Sequence, residues 1–330
     1  MVAINQVTEN WIPTLIGHAA RVRLPGVDAS LAGSSVSPDR GEVFWAAVQA
    51  MGCYHWYAEV DYDQNRRQRN TELVQALLEA QQDVAQDVVQ AAVQTASGGG
   101  LWLKALAARS LDRPKLYVTP ALRIATDVDV WFAEHEVLSI ATWLKVHAGY
   151  TTVEQGVVWP QNYEMGLVSP EGVLLDIHDA LGPRKELRNW FGRLTPHIQA
   201  QAQSGTVQVL SADMQLVHAV VHFFQHAGHL KYYQLLEMLM LMESANVREA
   251  ARTILLDNGY DQLWAWVVLR ISRLWPTRDI GKMPAFLGNE KAALPSWQRR
   301  LWDTVLDQNG IWRGPQPYRG PKALTLMLGL

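Results

Sequence analysis

The spacing of apolar residues changes at Ser97-Gly98-Gly99-Gly100, and this change constrains the fold more than any other feature of the chain. Upstream, over residues 70–96, Leu73, Leu77, Val84, Val88 and Val93 recur at helical spacing among Gln and Ala, which predicts a long amphipathic helix. Three successive glycines cannot continue it, and their simplest role is to end it. Downstream the elements become short and the period shifts towards two. Residues 101–103 and 127–132 read as strands, 105–110 as a short helix and 134–148 as a helix stopped by Gly149. Strands follow over 151–158, 163–168 and 173–177, the last two joined by the turn Ser169-Pro170-Glu171-Gly172. From Arg184 the chain returns to helical spacing, over residues 214–242, 247–256, 262–274 and 295–306, with Asn258-Gly259 as a break. These segments give an α+β architecture: a helical region over 1–97, a small mixed sheet over 98–183, and a helical region over 184–330.

The chemistry is concentrated in the central piece. Asp127-Val128-Asp129 falls inside a predicted strand, where side chains alternate, so both carboxylates project to one face and Val128 to the other. Two carboxylates side by side repel, and the pair becomes favourable with a divalent cation between them. Magnesium takes oxygen ligands, usually one or two protein carboxylates together with phosphate oxygens. Asp176, in Leu174-Leu175-Asp176-Ile177-His178, alternates with apolar neighbours in the same way, so His178 shares its face. It supplies the third carboxylate if its strand lies beside the first. Such a set suits phosphoryl transfer, where positioning and charge neutralisation do most of the work.

Several short patterns surround these aspartates. Trp102-Leu103-Lys104-Ala105-Leu106-Ala107 comes first, then Arg123, then Thr126-Asp127-Val128-Asp129-Val130, then Ala148-Gly149-Tyr150, and last Leu175-Asp176-Ile177-His178. Their order and spacing resemble the nucleotidyltransferase superfamily with the DNA polymerase β-like catalytic core, and more narrowly a bacterial family of uncharacterised nucleotidyltransferases. The resemblance spans roughly residues 70–245. It implies a nucleotidyltransferase-type sheet in which Asp127 and Asp129 are the metal pair and Asp176 the third carboxylate. It also implies that Lys104 and Arg123 face phosphate, that Mg²⁺ or Mn²⁺ is the cofactor, and that an NTP, ATP in this reading, is the co-substrate. The family glycine after the lysine is Ala105 here. A glycine at that turn lets backbone N–H groups approach the triphosphate, so the alanine leaves open a second reading: a degenerate core that binds a nucleotide or a partner without turnover.

His218, His222, His226 and His229 follow at helical spacing. Phe223 stands where a zinc protease motif needs glutamate. The resemblance places histidines on the corresponding helix, so His222 and His226 are expected at the border of the cleft, with packing between helices as the alternative. Arg184, Lys185, Arg188 and Arg193 follow the third carboxylate and read as a solvated helix face or a contact for an anionic substrate.

The net charge of −3 gives no global attraction to polyanions. Long nucleic acid is therefore disfavoured as acceptor against a small molecule, a peptide or a protein. The single cysteine, Cys53, excludes an internal disulfide. Residues 1–17 lack the basic and apolar regions of a signal peptide, and no stretch approaches the roughly 20 apolar residues of a membrane span. A soluble cytoplasmic protein is the expectation. Fourteen tryptophans, six of them beyond Gly259, read as core.

Overall fold

The first regular element, α1 (Gln64–Gln94), turns Val84, Val88, Ala91 and Ala92 inward, all fully buried. Their spacing of three and four residues makes one stripe, on which Val84 and Val88 stand as expected, while Val93, expected there too, is exposed. The computed structural model describes residues 64–103, 127–153, 164–181, 192–225, 237–238, 241–242, 244–261, 263–265 and 267–268.

The end of α1 corrects the expectation about the glycines. Ala96 adopts φ 51°, the Ser97 N–H donates to Ala92 O at 3.0 Å and the Ala96 N–H to Val93 O at 3.2 Å. This is a Schellman stop made by alanine, ahead of all three glycines. Gly99 and Gly100 serve close approach instead. Gly99 has φ +120°, and a Cβ there would overlap the backbone of Gln203; a Cβ on Gly100 would lie 2.6 Å from the Phe132 ring. The Gly98 N–H donates to the Glu136 carboxylate. The run lets one chain segment thread between two others, which a side chain would block.

Six strands form one sheet: β1 (Gly100–Trp102), β2 (Asp127–Trp131), β3 (Thr151–Thr152), β4 (Glu164–Val168), β5 (Leu174–His178) and β6 (Val207–Val209), in the order β3-β4-β5-β2-β1-β6. The central pair β2–β5 is parallel and so is β1–β6, while the other pairings are antiparallel. The sheet is therefore mixed, as expected. β6 was not read from the sequence, because Val207-Gln208-Val209 is too short to carry a period and is specified by pairing with β1. β4 and β5 form a hairpin through Ser169–Gly172. Gly172 at φ 85° donates its N–H to Ser169 O at 2.9 Å, and the Ser169 N–H donates to Val173 O at 2.9 Å.

One sheet face carries Val128, Val130, Leu175, Ile177, Met165, Leu167 and Trp102, which share one buried cluster with the α1 stripe and with Val137, Ile140, Ala141 and Leu144. The latter four line α2 (Glu134–His147), which follows β2 directly. The Glu136 carboxylate accepts from the Ala133 N–H at 3.3 Å, so a buried acid both begins α2 and binds the Gly98 backbone. Gly149, at φ 76°, follows the end of α2 as its position in the sequence predicted.

This sheet lies in a compact unit of residues 72–115 and 119–222. The same unit includes a 3₁₀ turn (Gly192–Leu194), α3 (Thr195–Gln199) and most of α4 (Ala212–Gln225), whose Leu216, Val217, Val220 and Val221 are fully buried. The other unit comprises residues 1–71, 116–118 and 223–330. Its α5 (Ala245–Asp257) starts at Ser244, whose side chain accepts from the Val247 N–H, and buries Ala251 and Leu255. Gly259, at φ 79°, follows its end. Beyond it Tyr260, Leu263, Trp264 and Val267 are buried. Among the described residues, no helix is long and apolar enough to cross a membrane. The expected helices over 105–110 and 295–306 lie outside the described residues.

Candidate metal centre

The β2–β5 register builds the site. Asp129 pairs with Asp176, Val128 with Leu175 and Trp131 with His178. Residues paired directly in a sheet point to the same face, so the alternation in each strand and the parallel register together bring Asp127, Asp129 and Asp176 onto the face opposite the α1–α2 core. Ligand oxygens of the three carboxylates lie within 4.8 Å of one another. Asp129 is only 6% exposed, while Asp127 and Asp176 are half-buried. A solvated pair of surface aspartates is thereby excluded. Val128, Val130 and Trp131 are buried together with Asp129, so neither face of β2 carries the polar-out pattern of an exposed strand.

β4 extends the site beyond β5. Gly166 pairs with Asp176, and Glu164 with His178. The face thus holds a row Asp129–Asp176–Gly166 and, one step further along the strands, a row Trp131–His178–Glu164. His178 Nε2 lies 3.1 Å from Asp129 Oδ1 and its Nδ1 lies 3.9 Å from Glu164 Oε2. Glu164 and Gly166 were missed in the sequence. Their strand was recognised, but only the pairing of β4 with β5 places them beside the aspartates.

The electrostatics follow from this crowding. Burial, and then the charges of Asp129, Glu164 and Asp127, push the Asp176 carboxyl up to about 7, against the lowering effect of His178. Burial disfavours a charged His178, but the hydrogen bond and charge of Asp129, with Glu164 and Asp176, outweigh it and raise the imidazole above its usual range. An acid beside two other acids and a buried histidine is a common signature of a functional site.

The other predicted residues fare differently. Lys104, Ala105, Arg123, His226, Arg184, Lys185 and Arg188 lie outside the described residues. His222 sits on α4 with its ring centroid 5.8 Å from that of His218, and His218 is buried. Among the described residues, the cluster able to hold a metal is made of the three aspartates.

A family model described as an uncharacterised nucleotidyltransferase matches residues 111–262. That segment is similar to a nucleotidyltransferase family. It contains the three aspartates, His178, Glu164 and Gly166, as well as Arg123, His222 and His226, and it begins after Lys104 and Ala105. The α+β architecture with its mixed sheet is consistent with a nucleotidyltransferase-type fold. No curated protein and no solved structure matches the chain.

Proposed function

We propose that the protein is a metal-dependent nucleotidyltransferase that moves a nucleoside monophosphate, AMP in our reading, from an NTP to a hydroxyl-type acceptor on a small molecule, peptide or protein. The observation that carries this is the convergence of three carboxylates from two parallel strands, with ligand oxygens within 4.8 Å, inside the family-matched segment. An all-oxygen, acidic donor set fits a hard divalent cation such as Mg²⁺ or Mn²⁺. The Asp176 carboxyl is raised chiefly by burial and then by the neighbouring acids, and a cation among the three aspartates would offset both by favouring its charged form. Bound there, the cation would neutralise charge on the phosphates and align them.

Asp127 and Asp129 are the residues that would hold it. Asp176 either holds a second cation or accepts the proton of the acceptor hydroxyl as its oxygen bonds to the α-phosphorus and the bond to pyrophosphate breaks. A carboxylate within reach of the acceptor hydroxyl can take its proton. Lys104 and Arg123 are assigned to the phosphates, Ala105 to the turn beside them, and His178, His222 and His226 to the border of the cleft, all on the family resemblance. Net charge argues for an acceptor other than long nucleic acid, and the lone cysteine suits the cytoplasm.

The test is transfer of label from α-³²P-ATP, with Mg²⁺ or Mn²⁺, into components of a host-cell lysate. Label appearing with the wild type and absent with Asp127→Ala/Asp129→Ala supports transfer and exposes the acceptor. Absence of label with all four NTPs, from folded protein that still binds nucleotide, favours the non-catalytic binding reading that Ala105 suggests.

A further inference from the structure

The row behind the aspartates has its own geometry. His178 stands between two acids contributed by the strands on either side of it: Asp129 of β2, 3.1 Å from Nε2, and Glu164 of β4, 3.9 Å from Nδ1. His178 is 7% exposed and Asp129 6%, so water competes little for either partner. An Nε2–H donating to Oδ1 resists rotation of the Asp129 carboxylate about its last torsion and thereby fixes where Oδ2 points. Without that bond, repulsion from Asp127 and Asp176 would drive Asp129 to turn away from them. The charge of Glu164 on the far side of the ring favours the orientation in which Nε2 faces Asp129.

We infer that His178 is a positioning residue that holds Asp129 in the orientation required by a divalent cation, with Glu164 steadying the imidazole from the opposite strand. The inference rests on reading the aspartate triad as a metal site. His178 acts through Asp129 and is not itself a ligand. Partners of this kind, behind the ligands proper, typically change metal affinity by roughly ten- to hundredfold.

The test is Mn²⁺ binding to the full chain, read from the electron paramagnetic resonance signal of free Mn²⁺, alongside thermal melting without metal. His178→Phe keeps a ring and removes the donor. His178→Gln carries an amide N–H that reaches the Nε2 position, and His178→Asn carries one that falls short. Phe and Asn are expected to weaken Mn²⁺ binding roughly ten- to hundredfold, while Gln retains most of the wild-type affinity. If the Phe variant fails to fold, the Asn and Gln pair carries the comparison. Equal Mn²⁺ affinity in wild type, Asn and Gln would overturn the positioning role while leaving the metal site standing, and melting changes that leave affinity untouched would mean the same. A wild type that binds no Mn²⁺, matching Asp129→Asn, would overturn the metal site and the positioning role together.

Discussion

Replacing Asp176 by asparagine removes one titrating carboxyl and keeps the shape of the side chain. The carboxyl is raised from 3.8 to about 7, chiefly by burial and then by the charges of Asp129, Glu164 and Asp127. That displacement is worth roughly 4 kcal/mol between the two protonation states. Water reaches part of the half-buried group, so the observable share is roughly 2–4 kcal/mol. The sign is fixed by linkage. A folded-state pKa above the unfolded one means that the folded protein binds more protons between the two values, so stability falls as pH rises from about 4 to about 7 and levels off above. Asparagine cannot ionise and lacks this decline. The two metal-free proteins should therefore be about equally stable near pH 4, and Asp176→Asn should be the more stable by roughly 2–4 kcal/mol at pH 8. Urea midpoints measured across this range would show it, with titrating groups remote from Asp176 cancelling in the difference. Adding Mn²⁺ at pH 8 should narrow the gap, because a ligand in 100-fold excess over its dissociation constant adds about 2.7 kcal/mol to the form that binds it. Parallel pH profiles for the two proteins would refute the raised Asp176 carboxyl, and with it the burial and crowding that raise it. Equal stabilisation of both by Mn²⁺ would refute a ligand role for Asp176 and leave the proton-acceptor role standing.

Two further substitutions probe the frame that carries the site. Gly99→Ala forces a methyl group into the Gln203 backbone at a φ of +120° and should cost roughly 3 kcal/mol; an unchanged thermal melt would show that β1 does not need this close approach. Ile177→Ala empties a fully buried position on the core face of β5 and should cost roughly 2–5 kcal/mol, with Mn²⁺ affinity per folded molecule unchanged because its neighbours Asp176 and His178 point the other way. Lost affinity in a variant that still folds would mean that the two faces of β5 are not independent.

Much of the central unit was legible because it is written in local periods. The stripe on α1, the alternation in β2 and β5, the Ser169–Gly172 turn and the stop at Gly149 each depend on a few adjacent residues. So does the placement of Asp127 and Asp129 on one side of a strand. The glycine run was misjudged for a physical reason. A glycine ending a helix and a glycine admitting a neighbouring backbone look alike in sequence, and only Gln203, far along the chain, distinguishes them at Gly99. β6 was invisible because three residues carry no period, and its partner β1 lies about a hundred residues away.

The sequence by itself determined the α+β order of elements, the carboxylates on offer and the face of each strand on which they lie, since strand alternation is a property of the backbone alone. Tertiary structure decided the register. A shift of one residue between β2 and β5 would put Asp176 level with a valine whose side chain points to the opposite face. The observed pairing of Asp129 with Asp176, and of Glu164 with His178, is what turns four acids and an imidazole from separate strands into one site.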